Sequence, residues 1–167
     1  DVENMRSRVE LTHPEGMVLH TPLEADGKTW DVNFVNTGVP HAVIVCEDCD
    51  KVDVDRLGRI FRYHEHFAPK GTNVNFITVT GKDAIHVRTY ERGVENETLA
   101  CGTGATAAAI VASFVFQPQT AHYAVSVPGG ELAVRFSHEQ GTQTYTDIRL
   151  TGPARRVFEG VFDSENF

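Results

Sequence analysis

The sequence predicts an α+β domain in which a curled antiparallel sheet or β-barrel surrounds one central buried helix. Three observations carry this. Short stretches alternating polar and apolar residues recur between turn signals over most of the chain. Residues 105–116, ATAAAIVASFVF, form a helix-length run without a single charge, and a helix apolar all round must be buried all round. That run is too short to span a bilayer, so its place is inside a closed or nearly closed sheet, where small alanines let strands approach.

The elements follow in order. Residues 8–12 alternate polar and apolar, His13-Pro14-Glu15-Gly16 turns the chain, and residues 17–20 continue extended. Ala25-Asp26-Gly27-Lys28 is a further turn before the alternating stretch 30–35. Residues 42–45, AVIV, read as a strand buried on both faces. Residues 53–66 place Val54, Leu57, Ile60 and Phe61 on one helical face and Asp55, Arg56, Arg59 and Arg62 on the other, a surface helix. Strands are expected at 75–79, 85–90, 123–127, 131–136 and 144–150, separated by Gly81-Lys82-Asp83, Pro128-Gly129-Gly130 and the Gly141 turn. No internal repeat, linker or low-complexity segment interrupts them.

Composition narrows the function. The chain has 167 residues, enough for one ordinary domain. With 15 Lys+Arg against 23 Asp+Glu its formal net charge is −8, which argues against a nucleic-acid partner, since phosphate backbones require clustered positive charge. No apolar run approaches the roughly 20 residues of a membrane span. Three cysteines, Cys46, Cys49 and Cys101, are an odd number in a chain that opens without an export signal; free thiols and a cytoplasmic location are the expectation. The first residue is Asp1 rather than Met, so a boundary set by truncation or processing is expected.

Chemistry concentrates at residues 90–105. A strand ends at Tyr90, a polar loop follows, and Cys101-Gly102-Thr103-Gly104 opens the buried helix. A helix N-terminus offers unpaired N–H groups and partial positive charge, suited to a carboxylate or phosphate. The same field favours thiolate, so Cys101 is expected to have a lowered pKa. Arg92 can clamp a substrate carboxylate, and Glu91 can bind an ammonium group or tune the thiol. Elsewhere the pattern is structural. Cys46-x-x-Cys49 lacks a second pair with ligand spacing, so no metal site is expected. His64 and His66 do not share a helical face, and Asp48, Asp50, Asp53 and Asp55 read as a solvated acidic loop.

Glu91-Arg92-Gly93 with Glu97-Thr98-Leu99-Ala100-Cys101-Gly102-Thr103-Gly104-Ala105 resembles the second cysteine motif of the diaminopimelate epimerases. Gly71-Thr72-Asn73-Val74-Asn75-Phe76, Gly38-Val39-Pro40-His41 and 150–154 with 157–160 are further family hallmarks, in the family's order. The resemblance covers the C-terminal half of that enzyme. It implies cofactor-free conversion of LL-diaminopimelate to the meso form, on the route to lysine and peptidoglycan. A base on one face of the α-carbon takes a proton and an acid on the other returns one, and in this family both are cysteines, one from each of two pseudo-symmetric domains. Cys101 matches the second of them. Gly102 and Thr103 match the backbone positions that hold the α-carboxylate, and Asn75 matches a substrate-binding asparagine. Arg92 matches the distal-carboxylate ligand. Glu91 and His41 match groups that tune the cysteines, Glu91 also contacting the substrate amino group.

Two departures accompany the resemblance. Val39 stands where many relatives have asparagine, leaving only its backbone to bind substrate. The first Cys-Gly-Asn-Gly helix is absent from this sequence, and neither Cys46 nor Cys49 is followed by a glycine-rich helix start. The chain is therefore expected to be half an active site, with the N-terminal half of the same enzyme as its partner and a homodimer as the form family members commonly take. Residues 1–155 are expected to form the second epimerase domain, and residues 156–167 to hold a closing strand that packs on the absent half. A non-catalytic binding or assembly module of the same fold, or a related cofactor-free racemase, is the alternative.

Overall fold

The computed structural model describes residues 6–116, 120–139 and 141–161. Ten strands and two α-helices follow one another: β1 (Arg6–Glu10), β2 (Glu15–Ala25), β3 (Lys28–Asn36), β4 (Pro40–Val45), α1 (Val54–Arg62), β5 (Asn73–Gly81), β6 (Ala84–Glu91), β7 (Asn96–Thr98), α2 (Gly102–Val115), β8 (His122–Val127), β9 (Gly130–His138) and β10 (Tyr145–Pro153). The strands form one sheet in the order β1-β10-β9-β8-β6-β5-β4-β3-β2, with β7 paired to β6 off this path. The sheet is curled rather than closed, and β1 and β2 are its two ends.

The curled sheet around a central buried helix is as expected, with two of its strand pairs parallel rather than antiparallel. β4 runs parallel to β5, and β6 runs parallel to β8. Parallel neighbours need a crossover of a dozen or more residues. α1 supplies the first crossover, and β7 with α2 supplies the second.

The crossover helices lie on opposite faces of the central strands. In β4 and β5, Ala42, Ile44, Val74 and Phe76 face the α1 side, whereas Val43 and Ile77 face α2. This is the period-2 alternation of a strand buried on both faces. α2 packs against β3, β4, β5, β6, β8 and β9. Its residues Gly104–Ser113 are all buried, as a chargeless helix requires. α1 buries Val54, Leu57, Gly58 and Phe61 and exposes its charged side. It ends at Arg62, short of the expected 66, and a 3₁₀ turn takes over at Glu65–Phe67. Its N-cap Asp53 accepts from the Arg56 N–H at 3.2 Å.

α1 lies so close to β6 that a Cβ on Gly58 would sit 2.6 Å from Tyr90 Cγ. Alanine is the better helix former by about 1 kcal/mol, but overpacking costs about 1–3 kcal/mol, and Tyr90 is itself buried. Gly58→Ala is therefore expected to lower the melting temperature; a rise would show that α1 can lift from the sheet without loss.

β10 ends at Pro153, and residues 154–161 follow without regular structure. Val157, Phe158 and Val161 are 80%, 83% and 102% exposed. The remainder of the expected closing strand, residues 162–167, lies outside the described residues. Among the described residues no helix is long and apolar enough to cross a membrane.

Candidate active site at the N-terminus of the buried helix

Cys101 is the N-cap of α2, with extended backbone dihedrals and no side-chain capping bond. It is buried, and its Sγ lies 3.5 Å from Thr103 Oγ1. Its carbonyl accepts the Ala105 N–H at 2.8 Å and so starts the helix. The β3–β4 turn is tied to the same point, because Thr37 Oγ1 donates to Thr103 O at 3.0 Å.

The expected lowering of the Cys101 pKa is corrected. Burial pushes the thiol above its ordinary value; Thr103 and the Gly104 N–H pull against this, while the Glu91 carboxylate adds to it. Desolvation outweighs the helix terminus because a buried thiolate loses its water. A raised pKa means less thiolate at neutral pH. Alkylation by iodoacetamide is accordingly expected to be slower at Cys101 than at a free cysteine, with its midpoint displaced to higher pH; a midpoint below the free thiol's would reverse this reading.

Strand alternation delivers the other groups. His41, Asn73, Asn75, Thr89 and Glu91 stand at odd positions of β4, β5 and β6, the same parity as Val43, Ile77 and Val87 of the cluster around α2. Glu91 is half-buried and accepts from Thr98 Oγ1 at 3.0 Å. Arg92 follows at the strand end. Its N–H donates to Asn73 Oδ1 at 2.8 Å and its Nη1 to Lys70 O at 3.2 Å. Among the described residues no carboxylate pairs with it. Arg92, Val39, Pro40, Phe34, Phe67 and Lys70 are among the residues lining an open cleft of about 650 Å³. The Val39 carbonyl accepts from the Thr37 N–H at 3.1 Å.

His41 and Asn75 are both fully buried. Asn75 Nδ2 donates to Ala42 O at 2.9 Å and meets His41 Nδ1 at 3.1 Å, while its Oδ1 accepts from Thr89 Oγ1 at 3.0 Å. Burial and the Arg92 cation hold His41 down at about 3. The structure places Cys101, Gly102, Thr103 and Glu91 at the helix start, Arg92 and Val39 on the cleft wall, and His41 with Asn75 buried, Asn75 Oδ1 lying against Gly104 in the first turn of α2.

Sequence reasoning missed Asn73 and Thr37. Asn73 Nδ2 donates to Pro40 O at 3.0 Å, so this residue fixes both the Arg92 backbone and the Gly38-Val39-Pro40 turn. Its place in the same motif as Asn75, two residues earlier and on the same strand face, was the available signal.

Away from this site, Cys49, Asp50 and His86 bring ligand-type atoms within 4.8 Å of one another. His86 Nε2 pairs with Asp50 Oδ1 at 3.1 Å. Arg88 Nη1 donates to the carbonyls of Cys49, Asp50 and Val52, placing a fixed positive charge beside any second cation.

The family model described as diaminopimelate epimerase matches residues 33–157. A diaminopimelate epimerase of Aquifex aeolicus (strain VF5) is 47% identical over 165 residues, covering 98% of this chain and 57% of that protein. One from Hydrogenobaculum sp. (strain Y04AAS1) is 40% identical, covering 99% and 58%. The chain spans a little over half the length of these curated relatives. Among solved structures, a probable proline racemase from Agrobacterium radiobacter K84 superposes with a TM-score of 0.69 at 14% identity, over 89% of this chain and 51% of that one. A PhzF-family phenazine biosynthesis protein from Bacillus anthracis superposes with a TM-score of 0.67 at 11% identity, over 89% and 57%. These two likenesses speak for the fold.

Proposed function

We propose that this chain, which belongs to the diaminopimelate epimerase family, supplies one of two acid/base cysteines for the epimerisation of LL-diaminopimelate to meso-diaminopimelate. The observation that carries the reading is Cys101 at the start of a buried helix, with Glu91 and Arg92 arriving from the adjacent strand end.

Inversion at an α-carbon without a cofactor requires a thiolate on one face to take the Cα proton and a thiol on the opposite face to deliver another, leaving the new stereocentre and the two thiols with exchanged protonation. Cys101 serves one face. The Gly102 and Thr103 N–H groups, unpaired within the first helical turn, hold the α-carboxylate, whose charge would otherwise oppose the carbanion. Arg92, without a carboxylate partner among the described residues, takes the distal carboxylate. Glu91 receives the ammonium group and, by its charge, keeps the nearby thiol protonated until substrate arrives. His41 acts on the cysteines without touching substrate, and Asn75, against Gly104 in the first turn of α2, contributes to the substrate site.

The second cysteine comes from the N-terminal half of the same enzyme. The exposed Val157, Phe158 and Val161, on the segment after β10, pack on that half. A homodimer is the assembled form. No cofactor takes part, and the chemistry fits a cytoplasmic biosynthetic enzyme.

The test is deuterium incorporation at Cα of LL-diaminopimelate in heavy water, with and without the complementary half. Exchange only in the combined halves is expected. Exchange by this chain alone would overturn the shared site, and no exchange by demonstrably associated halves would favour a binding module.

A further inference from the structure

We propose that Asn75 and Thr89 are positioning residues that hold His41 as a neutral imidazole carrying its proton on Nε2. The inference deepens the reading of His41 as a group acting on the site cysteines. It stands on hydrogen-bond geometry. Ala42 O, 2.9 Å from the Asn75 side chain, is a carbonyl and can only accept. The amide nitrogen of Asn75 must therefore face it, and the orientation of the amide is settled by chemistry. Its second N–H points at His41 Nδ1, 3.1 Å away, which must offer its lone pair. Thr89 Oγ1 donates to the amide oxygen at 3.0 Å and locks the other end.

A neutral ring with an accepting Nδ1 carries its hydrogen on Nε2. His41 Nε2 is buried, and among the described residues it has no hydrogen-bond partner. A directed, buried donor is thus held for an acceptor that the described residues do not provide. The charge that faces the ring is Arg92, which together with burial disfavours the imidazolium. His41 then acts as a fixed donor, and does not shuttle protons through the neutral pH range.

The experiment is ¹⁵N–¹H correlation of the histidine rings in this chain. The expected result is an Nε2–H tautomer for His41 that does not titrate between about pH 8 and pH 5, the window in which ordinary histidines charge. Asn75→Asp replaces the donor facing Nδ1 with a carboxylate acceptor and is expected to move the ring proton to Nδ1 and bring His41 titration into that window. Thr89→Val removes the bond at the amide oxygen while Ala42 O still fixes the nitrogen, and is expected to keep the Nε2–H tautomer with a broadened ring resonance. An Nδ1–H ring in the unaltered chain, or a His41 titrating like a free histidine, overturns the proposal. So does an Asn75→Asp ring that keeps Nε2–H. Should Asn75→Asp fail to fold, the unaltered chain and Thr89→Val still decide. The readout needs no turnover, so a failure of the epimerase reading in the heavy-water experiment is distinguishable from a failure here.

Discussion

Replacing Cys101 by alanine is expected to reduce Cα proton exchange of diaminopimelate by about 10²–10⁴-fold in the combined halves, the usual contribution of a positioned acid or base. The proposed substrate-holding groups include the N–H groups of Gly102 and Thr103 and the Glu91 and Arg92 side chains, none of which the substitution removes. KM is therefore expected to change little and kcat to carry the loss. Serine is not expected to rescue, because a hydroxyl is a far weaker acid than a thiol. Steady-state kinetics with heavy-water exchange measure both quantities. Retained exchange in Cys101→Ala would remove this residue from the reaction and transfer attention to Cys46 and Cys49. Burial already pushes both of those thiols up, Cys46 to about 11.

Gly104→Ala is expected to destabilise the fold by about 1–2 kcal/mol and to disorganise the site with it. A Cβ at this position would overlap Asn75 Oδ1 and stand 3.3 Å from Cys101 Sγ. In its favour is helix propensity, at about 1 kcal/mol for alanine over glycine. Against it are overpacking at about 1–3 kcal/mol and the strain on an amide held by Ala42, His41 and Thr89, where one lost hydrogen bond costs about 0.5–1.5 kcal/mol. The opposing effects are larger because Asn75 has no free direction to move. Denaturant unfolding, with an unchanged slope and a lower midpoint, is the check. An unchanged midpoint would mean that the first turn of α2 can shift away from β5 at no cost.

Much of this was legible in the chain itself. The absence of charge from residues 105–116 announced a helix enclosed by strands, and the glycines after Cys101 announced where that helix begins. The two parallel pairings were less visible, because strand alternation reads the same whichever way a neighbour runs; only the helices between the strands encode direction. β7 escaped notice because Asn96, Glu97 and Thr98 have no apolar period to display. The Cys101 pKa was misjudged for a related reason: a motif reveals the helix terminus locally, whereas burial is decided by residues far away in sequence. Asn75 and His41 were each singled out in the sequence, but their hydrogen bond crosses from β5 to β4 and joins positions 34 residues apart.

The two-faced burial of β4, β5 and β6 has a kinetic consequence. Amides in these strands are covered by α1 on one side and α2 on the other, so they exchange with solvent only when a large part of the molecule opens. β1 has all five residues exposed and can fray alone. His41, Asn75 and Thr89 are set within the strands that open last, and Glu91 at their end. The loop carrying Cys101 thus joins a slow-opening foldon to the helix it encloses, and breathing at the sheet ends leaves its alignment undisturbed.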